Sequence, residues 1–190
     1  MPENLRVSRE SIIAMGMEAL HEIGSDYICS ICIINGGSCC QGCKQLAPGV
    51  GCQLRNTGCT AWLCGFLKFF LYELGLLQEW IDFWDEVPGQ GYREDYTPET
   101  FVVTKELRHP DIRKLGESFA ADLRELTKSH LIPGFILNLR EKFDRYIDLL
   151  MEPGYDPQKR GGIKQRIKIW SGIFQQFQQE LREYKHMLNV

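Results

Sequence analysis

The chain has 190 residues, of which 44% are hydrophobic and 25% charged, with a formal net charge of −3 at pH 7. That length allows one domain with its own apolar core, so the cysteines are not needed as the disulfide staples of a very small fold. The near-balanced charge favours no class of partner globally, and the polar first ten residues lack the apolar run of an export signal, so a cytoplasmic protein is expected.

Ser8 is a candidate N-cap for a helix running to about residue 24, with Ile12, Ile13, Met17, Leu20 and Ile23 as its apolar stripe. From residue 36 to 65 there are seven glycines (36, 37, 42, 49, 51, 58 and 65) and one proline, Pro48, a composition that predicts tight turns. Helical character returns at Thr60 and continues through Trp62, Leu63, Phe66, Leu67, Phe70, Leu71, Leu74 and Leu77, with Cys64 projecting from the first turn. Residues 61–77 approach the length of a short membrane span. Lys68 and Glu73 lie within them and Gly65 and Gly75 interrupt them, so a buried helix is expected and no membrane span.

A helix over residues 77–87 carries Trp80, Phe83 and Trp84 and ends at Pro88-Gly-Gln-Gly91. Residues 92–109 read as a connector, where a helix start at Thr97-Pro98 competes with the strand preference of Phe101-Val-Val-Thr104. Pro110 opens a helix to about residue 130 with Ile112, Leu115, Phe119, Leu123 and Leu126 on one stripe. Pro133 opens another with Ile136, Leu139, Phe143, Tyr146, Ile147 and Leu150. In the last segment Ile163, Ile167, Trp170, Phe174, Phe177, Leu181, Tyr184 and Leu188 are spaced alternately by four and three. This heptad seam predicts one long helix, packed against the others rather than in a weak homodimer because its aromatics suit a thin dimer seam poorly.

All eight cysteines fall between residues 29 and 64: Cys29, Cys32, Cys39, Cys40, Cys43, Cys52, Cys59 and Cys64, spaced C-x2-C-x6-C-C-x2-C-x8-C-x6-C-x4-C. One tight cluster beside a full-size core predicts thiolate ligands for a metal, enough for one or two four-thiolate sites. Nearby glycines would let backbone N–H groups approach the coordinated sulfurs. Zinc and iron–sulfur clusters both use thiolates. The adjacent Cys39 and Cys40 point apart unless the backbone turns sharply, so they would serve different irons or different sites, which favours a 4Fe–4S cluster over a single zinc.

The runs Tyr27-Ile-Cys29-Ser-Ile-Cys32 and Gly36-Gly37-Ser-Cys39-Cys40, followed by Gly51-Cys52, Gly58-Cys59 and Cys64, resemble the bacterial cysteine-cluster proteins described as zinc- or iron-chelating domains. That group includes the flagellin N-methylases. The resemblance covers residues 27–64 and departs from the usual pattern in the six residues between pair and doublet and in the additional Cys43. It implies metal binding by the cysteines; lysine methylation does not carry over, because no recognisable methyl-donor site accompanies the match.

His21, eight residues before Cys29, reads as a surface or capping histidine rather than a ligand. His109, His130 and His186 fall at expected helix ends, where the helix dipole accounts for them. No Ser-His-Asp pattern, H-E-x-x-H or phosphate-binding loop is present, which removes the common hydrolase and nucleotide-hydrolysing classes. Residues 159–168, with Lys159, Arg160, Lys164, Arg166 and Lys168, read as a solvated helix face. Phosphate, nucleic acid or the chain's own acidic stretch (Glu73, Glu79, Asp82, Asp85, Glu86) are the alternatives.

The expected architecture is a mainly α single domain over 1–190. It comprises a loop-rich, metal-organised cysteine part with helices in 1–91, the connector 92–109, and amphipathic helices in 110–190. The expected function is metal binding, by an iron–sulfur cluster or zinc, in a redox, sensing or enzymatic role. The alternatives are a zinc-stabilised interaction or nucleic-acid-binding module, with a protein partner, and a cluster-dependent protein-modifying enzyme.

Overall fold

Ser8 begins the helical part of the chain. Its hydroxyl accepts from the Ser11 backbone N–H at 3.0 Å and its own N–H donates to Ser11 Oγ at 2.9 Å, a reciprocal capping box that fixes the start of α1 (Arg9–Glu22). The computed structural model describes residues 4–39, 43–47, 50–91, 95–129 and 132–188. Cys40, Gly42, Pro48, Gly49 and the expected helix end at His130 lie outside the described residues.

Among the described residues the chain is mainly helical. After α1 come α2 (Ser25–Ile34), α3 (Thr57–Ala61), α4 (Gly65–Leu74), α5 (Leu77–Trp84), α6 (Arg113–Ser129), α7 (Phe135–Met151), α8 (Pro157–Ser171) and α9 (Gln175–Leu188). Two small antiparallel ribbons complete it. β1 (Leu5–Ser8) pairs with β4 (Thr100–Val103), Leu5 opposite Val103 and Ser8 opposite Thr100, while β2 (Leu46–Ala47) pairs with β3 (Gly51–Cys52). The connector over 92–109 therefore contains a strand: the β-branched Val102 and Val103 prevail over the helix start, and the amino-terminal residues supply their partner.

The core is aromatic. Phe69 of α4 stacks on Phe143 of α7 with centroids 4.3 Å apart, and Phe119 of α6 meets Phe174 edge-on at 4.8 Å. Phe66, Phe70 and Phe177 close the same cluster, all fully buried. Such pairs add roughly 0.5–1.5 kcal/mol each beyond the area they bury. Lys68 joins α4 to α7 on the outside through Asp144 (2.8 Å) and Asp148 (2.6 Å). No helix among the described residues is long and apolar enough to cross a membrane.

Three sequence expectations need correction. The helix from Thr60 to Leu77 is broken twice. Trp62 leaves α3 in an extended conformation, and Gly75, at φ +76°, ends α4 in the left-handed region that glycine adopts without strain. The heptad seam is likewise two helices, turned at residues 172–174. Ile163, Ile167, Phe174, Phe177 and Leu181 are buried, but Trp170 and Tyr184 are half-buried and Leu188 is exposed. At the turn Asp122 of α6 accepts from the Gln176 and Phe177 N–H groups at 3.3 and 2.9 Å, so a buried carboxylate caps α9. On α1, Ile12, Leu20 and Ile23 are buried as expected, whereas Met17 is exposed.

Candidate metal site

Cys29 and Cys32 stand on α2, three residues apart and hence on one face of the helix, rather than in a loop. Asn35 and Gly36 end that helix: Asn35 Nδ2 donates to the Ile31 carbonyl at 2.8 Å, and Gly36 takes φ +79°. The chain then doubles back, with the Gly37 N–H donating to the Cys32 carbonyl at 2.8 Å. A Cβ on Gly37 would collide with Cys32 Sγ and lie 2.7 Å from Leu137 Cδ2. Glycine here lets the strand of chain leading to Cys39 pass directly over the Cys32 sulfur.

Cys64 arrives from the other side as the N-cap of α4 rather than from its first turn. A Cβ on the next residue, Gly65, would overlap the Arg140 carbonyl oxygen and lie 2.5 Å from the Asp144 nitrogen. The start of α4 thus rests on the α7 backbone, which brings Arg140 to the cysteines. Arg140 Nη1 donates to Cys32 Sγ at 3.3 Å and to the Ser38 carbonyl at 3.4 Å.

Cys29, Cys32, Cys39, Cys52 and Cys64 line one small cavity of about 50 Å³. Its apolar wall is Ile28, Ile33, Leu46 and Phe66, and Arg55 and Arg140 supply the charge. Cys52 also donates to the Leu54 carbonyl at 3.1 Å. Cys43 and Cys59 are elsewhere, in an open cleft with Arg9, Asn56 and Asp95, and Arg55 borders both spaces. Among the described residues, no three Cys, His, Asp or Glu side chains converge closely enough to hold one metal ion as they stand.

Cys32 and Cys64 are buried and Cys29, Cys39 and Cys52 half-buried. Burial pushes the Cys29 thiol well above its ordinary range, and the neighbouring Cys64, Cys39 and Cys32 sulfurs add to the rise, with Arg55 opposing it. Burial likewise pushes Cys64 up to about 12, although the Leu67 and Phe66 N–H groups at the start of α4 pull the other way without full capping geometry. Burial disfavours the charge on Arg140, but the nearby Cys32, with Cys64 and Cys39, shifts its pKa upward on balance. A thiolate-binding cation drawn in by a closer approach of these sulfurs would replace their protons and so relieve the crowding.

Among the described residues, His21, His109 and His186 stay outside this site. His21 is exposed and pairs with Asp26 at 2.8 Å, and His186 is exposed on α9. His109 departs from expectation. It is buried before α6, stacked on Trp80 at 6.1 Å, with neither ring nitrogen hydrogen-bonded. Arg140 and Arg55 were not foreseen as parts of the site. Arg140 is 108 residues from Cys32 on an ordinary amphipathic helix, and no sequence motif singles it out.

No family model, curated protein or solved structure matches the chain.

Proposed function

We propose that this chain is a metal-binding protein whose inner cysteine cavity holds a thiolate-ligated centre, an iron–sulfur cluster or zinc, in a redox or sensing role. The observation that carries the reading is that five of the eight cysteines, drawn from α2, the loop after it, the β2–β3 ribbon and the head of α4, line a single cavity among apolar side chains. Thiols so placed are costly as an uncompensated group of anions. A metal cation removes that cost, and the two arginines offset the net negative charge that a four-thiolate centre retains. Cys29, Cys32, Cys39 and Cys64 are the proposed inner ligands, with Cys52 as the replacement or fifth donor. The adjacent Cys40 is the proposed ligand for a second iron or a second site.

Zinc is the second reading, favoured by the small cavity volume, which is nearer the size of one ion than of a cluster. Anaerobic purification followed by metal and acid-labile sulfide analysis tests both. Iron with equivalent sulfide and broad visible absorption supports the cluster, and about one zinc per chain without sulfide supports the single ion. Loss of either on Cys32→Ser or Cys64→Ser places the centre in the inner cavity. A parent chain that retains neither metal, and whose cysteines all react freely with iodoacetamide, refutes the proposal.

A further inference from the structure

Far from the cysteines in sequence, α8 turns into α9 over the end of α4 and leaves an open groove of about 740 Å³. Its rim carries Lys164 and Lys168, one helical turn apart on α8, and Arg182 on α9. All three are exposed, and none has an acidic partner among the described residues. The floor is different. Ser171, buried, donates to Glu73 Oε2 at 3.1 Å, and Gln178 Nε2 donates to Ser171 Oγ at 2.6 Å and to Glu73 Oε2 at 3.4 Å. Among the described residues no donor reaches Oε1 of Glu73. Gln175 and Gln179 add neutral amides between rim and floor.

We propose that this groove is a binding site for a small phosphorylated, hydroxyl-bearing molecule, such as a sugar phosphate or a nucleotide. Three cations of one sign around a concave surface focus their field into it and repel one another when it is empty. A phosphoryl group satisfies all three, because the Arg182 fork and the lysine ammoniums donate to its several oxygens. The floor selects what the phosphoryl group is attached to. Glu73, held in place by Ser171 and Gln178, accepts from a hydroxyl and repels a second anion, so a phosphate ester of a polyol suits the groove from rim to floor. Its volume lies in the range of small-molecule sites. The α9 dipole takes no part, since Asp122 already occupies the Gln176 and Phe177 N–H groups. A continuous nucleic-acid strand fits less well: Glu73 stands in its path, and Tyr72, half-buried, is the one aromatic on the lining.

Titration calorimetry on the full-length chain tests this with ribose 5-phosphate, adenosine diphosphate, inorganic phosphate and a single-stranded oligonucleotide. Binding of either phosphate ester is expected, weakening as salt rises from about 50 to 200 mM. Lys164→Gln with Arg182→Gln should weaken it at least about tenfold, because both are charge-assisted donors to one group. Both residues are exposed and without an acidic partner among the described residues, so the melting temperature should not fall. Glu73→Gln should weaken the esters more than inorganic phosphate. Absence of ester binding, equal affinity in the double variant, equal affinity for esters and inorganic phosphate, or binding of the oligonucleotide alone each overturns the proposal. Retention of ester binding in Cys32→Ser separates this groove from the metal site.

Discussion

Replacing Gly65 with Ala sets two opposed effects against each other. Alanine is favoured over glycine in a helix by up to about 1 kcal/mol, and less at the first position of α4. Against this, the new Cβ would overlap the Arg140 carbonyl oxygen and lie 2.5 Å from the Asp144 nitrogen, both backbone atoms of α7 that cannot rotate away. Overpacking against atoms that must shift costs about 1–3 kcal/mol, and a backbone neighbour places this contact at the upper end. The steric term wins, leaving a net loss of about 2 kcal/mol, or about 4–8 °C in Tm for a chain of this size. α4 would move off α7, loosening the Phe69–Phe143 stack and carrying Cys64 away from Arg140. Thermal unfolding of metal-free protein under reducing conditions, followed by circular dichroism, measures the loss. A Tm within 1 °C of the parent, or above it, would refute the close contact between α4 and α7 on which the site geometry depends.

Gly161→Ala in α8 is the matched control: nothing lies within 4 Å of the added Cβ, so helix propensity alone should stabilise the chain by up to about 1 kcal/mol in the same melt. Burial lowers the His109 pKa below its ordinary 6.5, so the folded chain keeps it neutral while the unfolded chain protonates it; its contribution is present above pH 6.5 and lost as pH falls below that. His109→Leu, which also removes two unsatisfied buried nitrogens, should give a higher urea midpoint than the parent at pH 5, with a smaller gap at pH 7. For the metal-free chain the Cys64 thiol gives the opposite slope. Its pKa rises from 9.0 to about 12 on folding, so stability should fall between those pH values, and the fall should be shallower in Cys64→Ala. Arg140→Leu removes the donor 3.3 Å from Cys32 Sγ and should weaken metal retention against a chelator by about 10–100-fold, with Arg140→Lys in between; equal retention in all three proteins would detach Arg140 from the site.

The helical class, the cap at Ser8 and most of the stripes on α6 and α7 were legible because an amphipathic period reports burial directly. What periodicity does not report is where a helix stops. The 163–188 seam keeps its spacing through the turn at 172–174 because α8 and α9 press their apolar faces on the same core, so a bent pair leaves the pattern of one straight helix. The expected helix from Thr60 failed for a different reason. Leu63, Phe66 and Leu67 are all buried, but Trp62 and Cys64 have extended backbones, and that extension turns Cys64 towards the other thiols. At the site, spacing identified the cysteines as a group but did not divide them. Cys52 reaches the inner cavity from β3 while Cys43 precedes β2 and Cys59 sits on α3, and neither a two-residue ribbon nor a five-residue helix has a period to read.

That division bears on how a metal held as proposed would act on the rest of the chain. The inner cavity is built into the body. Phe66 forms part of its wall and meets Phe119 and Phe143 in the core at 6.2 and 6.3 Å, Cys64 heads the helix that carries the aromatic cluster, and Arg140 belongs to the helix packed against it. Ligation by Cys29 and Cys64 would therefore join α2 to α4 across the cavity, and its free energy would appear as stability of the helical body as well as of the cysteine loop. Cys43 and Cys59 border a separate open cleft beside Arg9 and Asp95, with Cys59 on α3, where Trp80 Nε1 donates to the Ala61 carbonyl at 2.8 Å. A change of oxidation state or metal at the inner site would be felt at the α4–α7 contact, where Gly65 leaves no slack. A centre held as proposed would thus act on the arrangement of α2, α4 and α7, which suits the sensing role proposed for it.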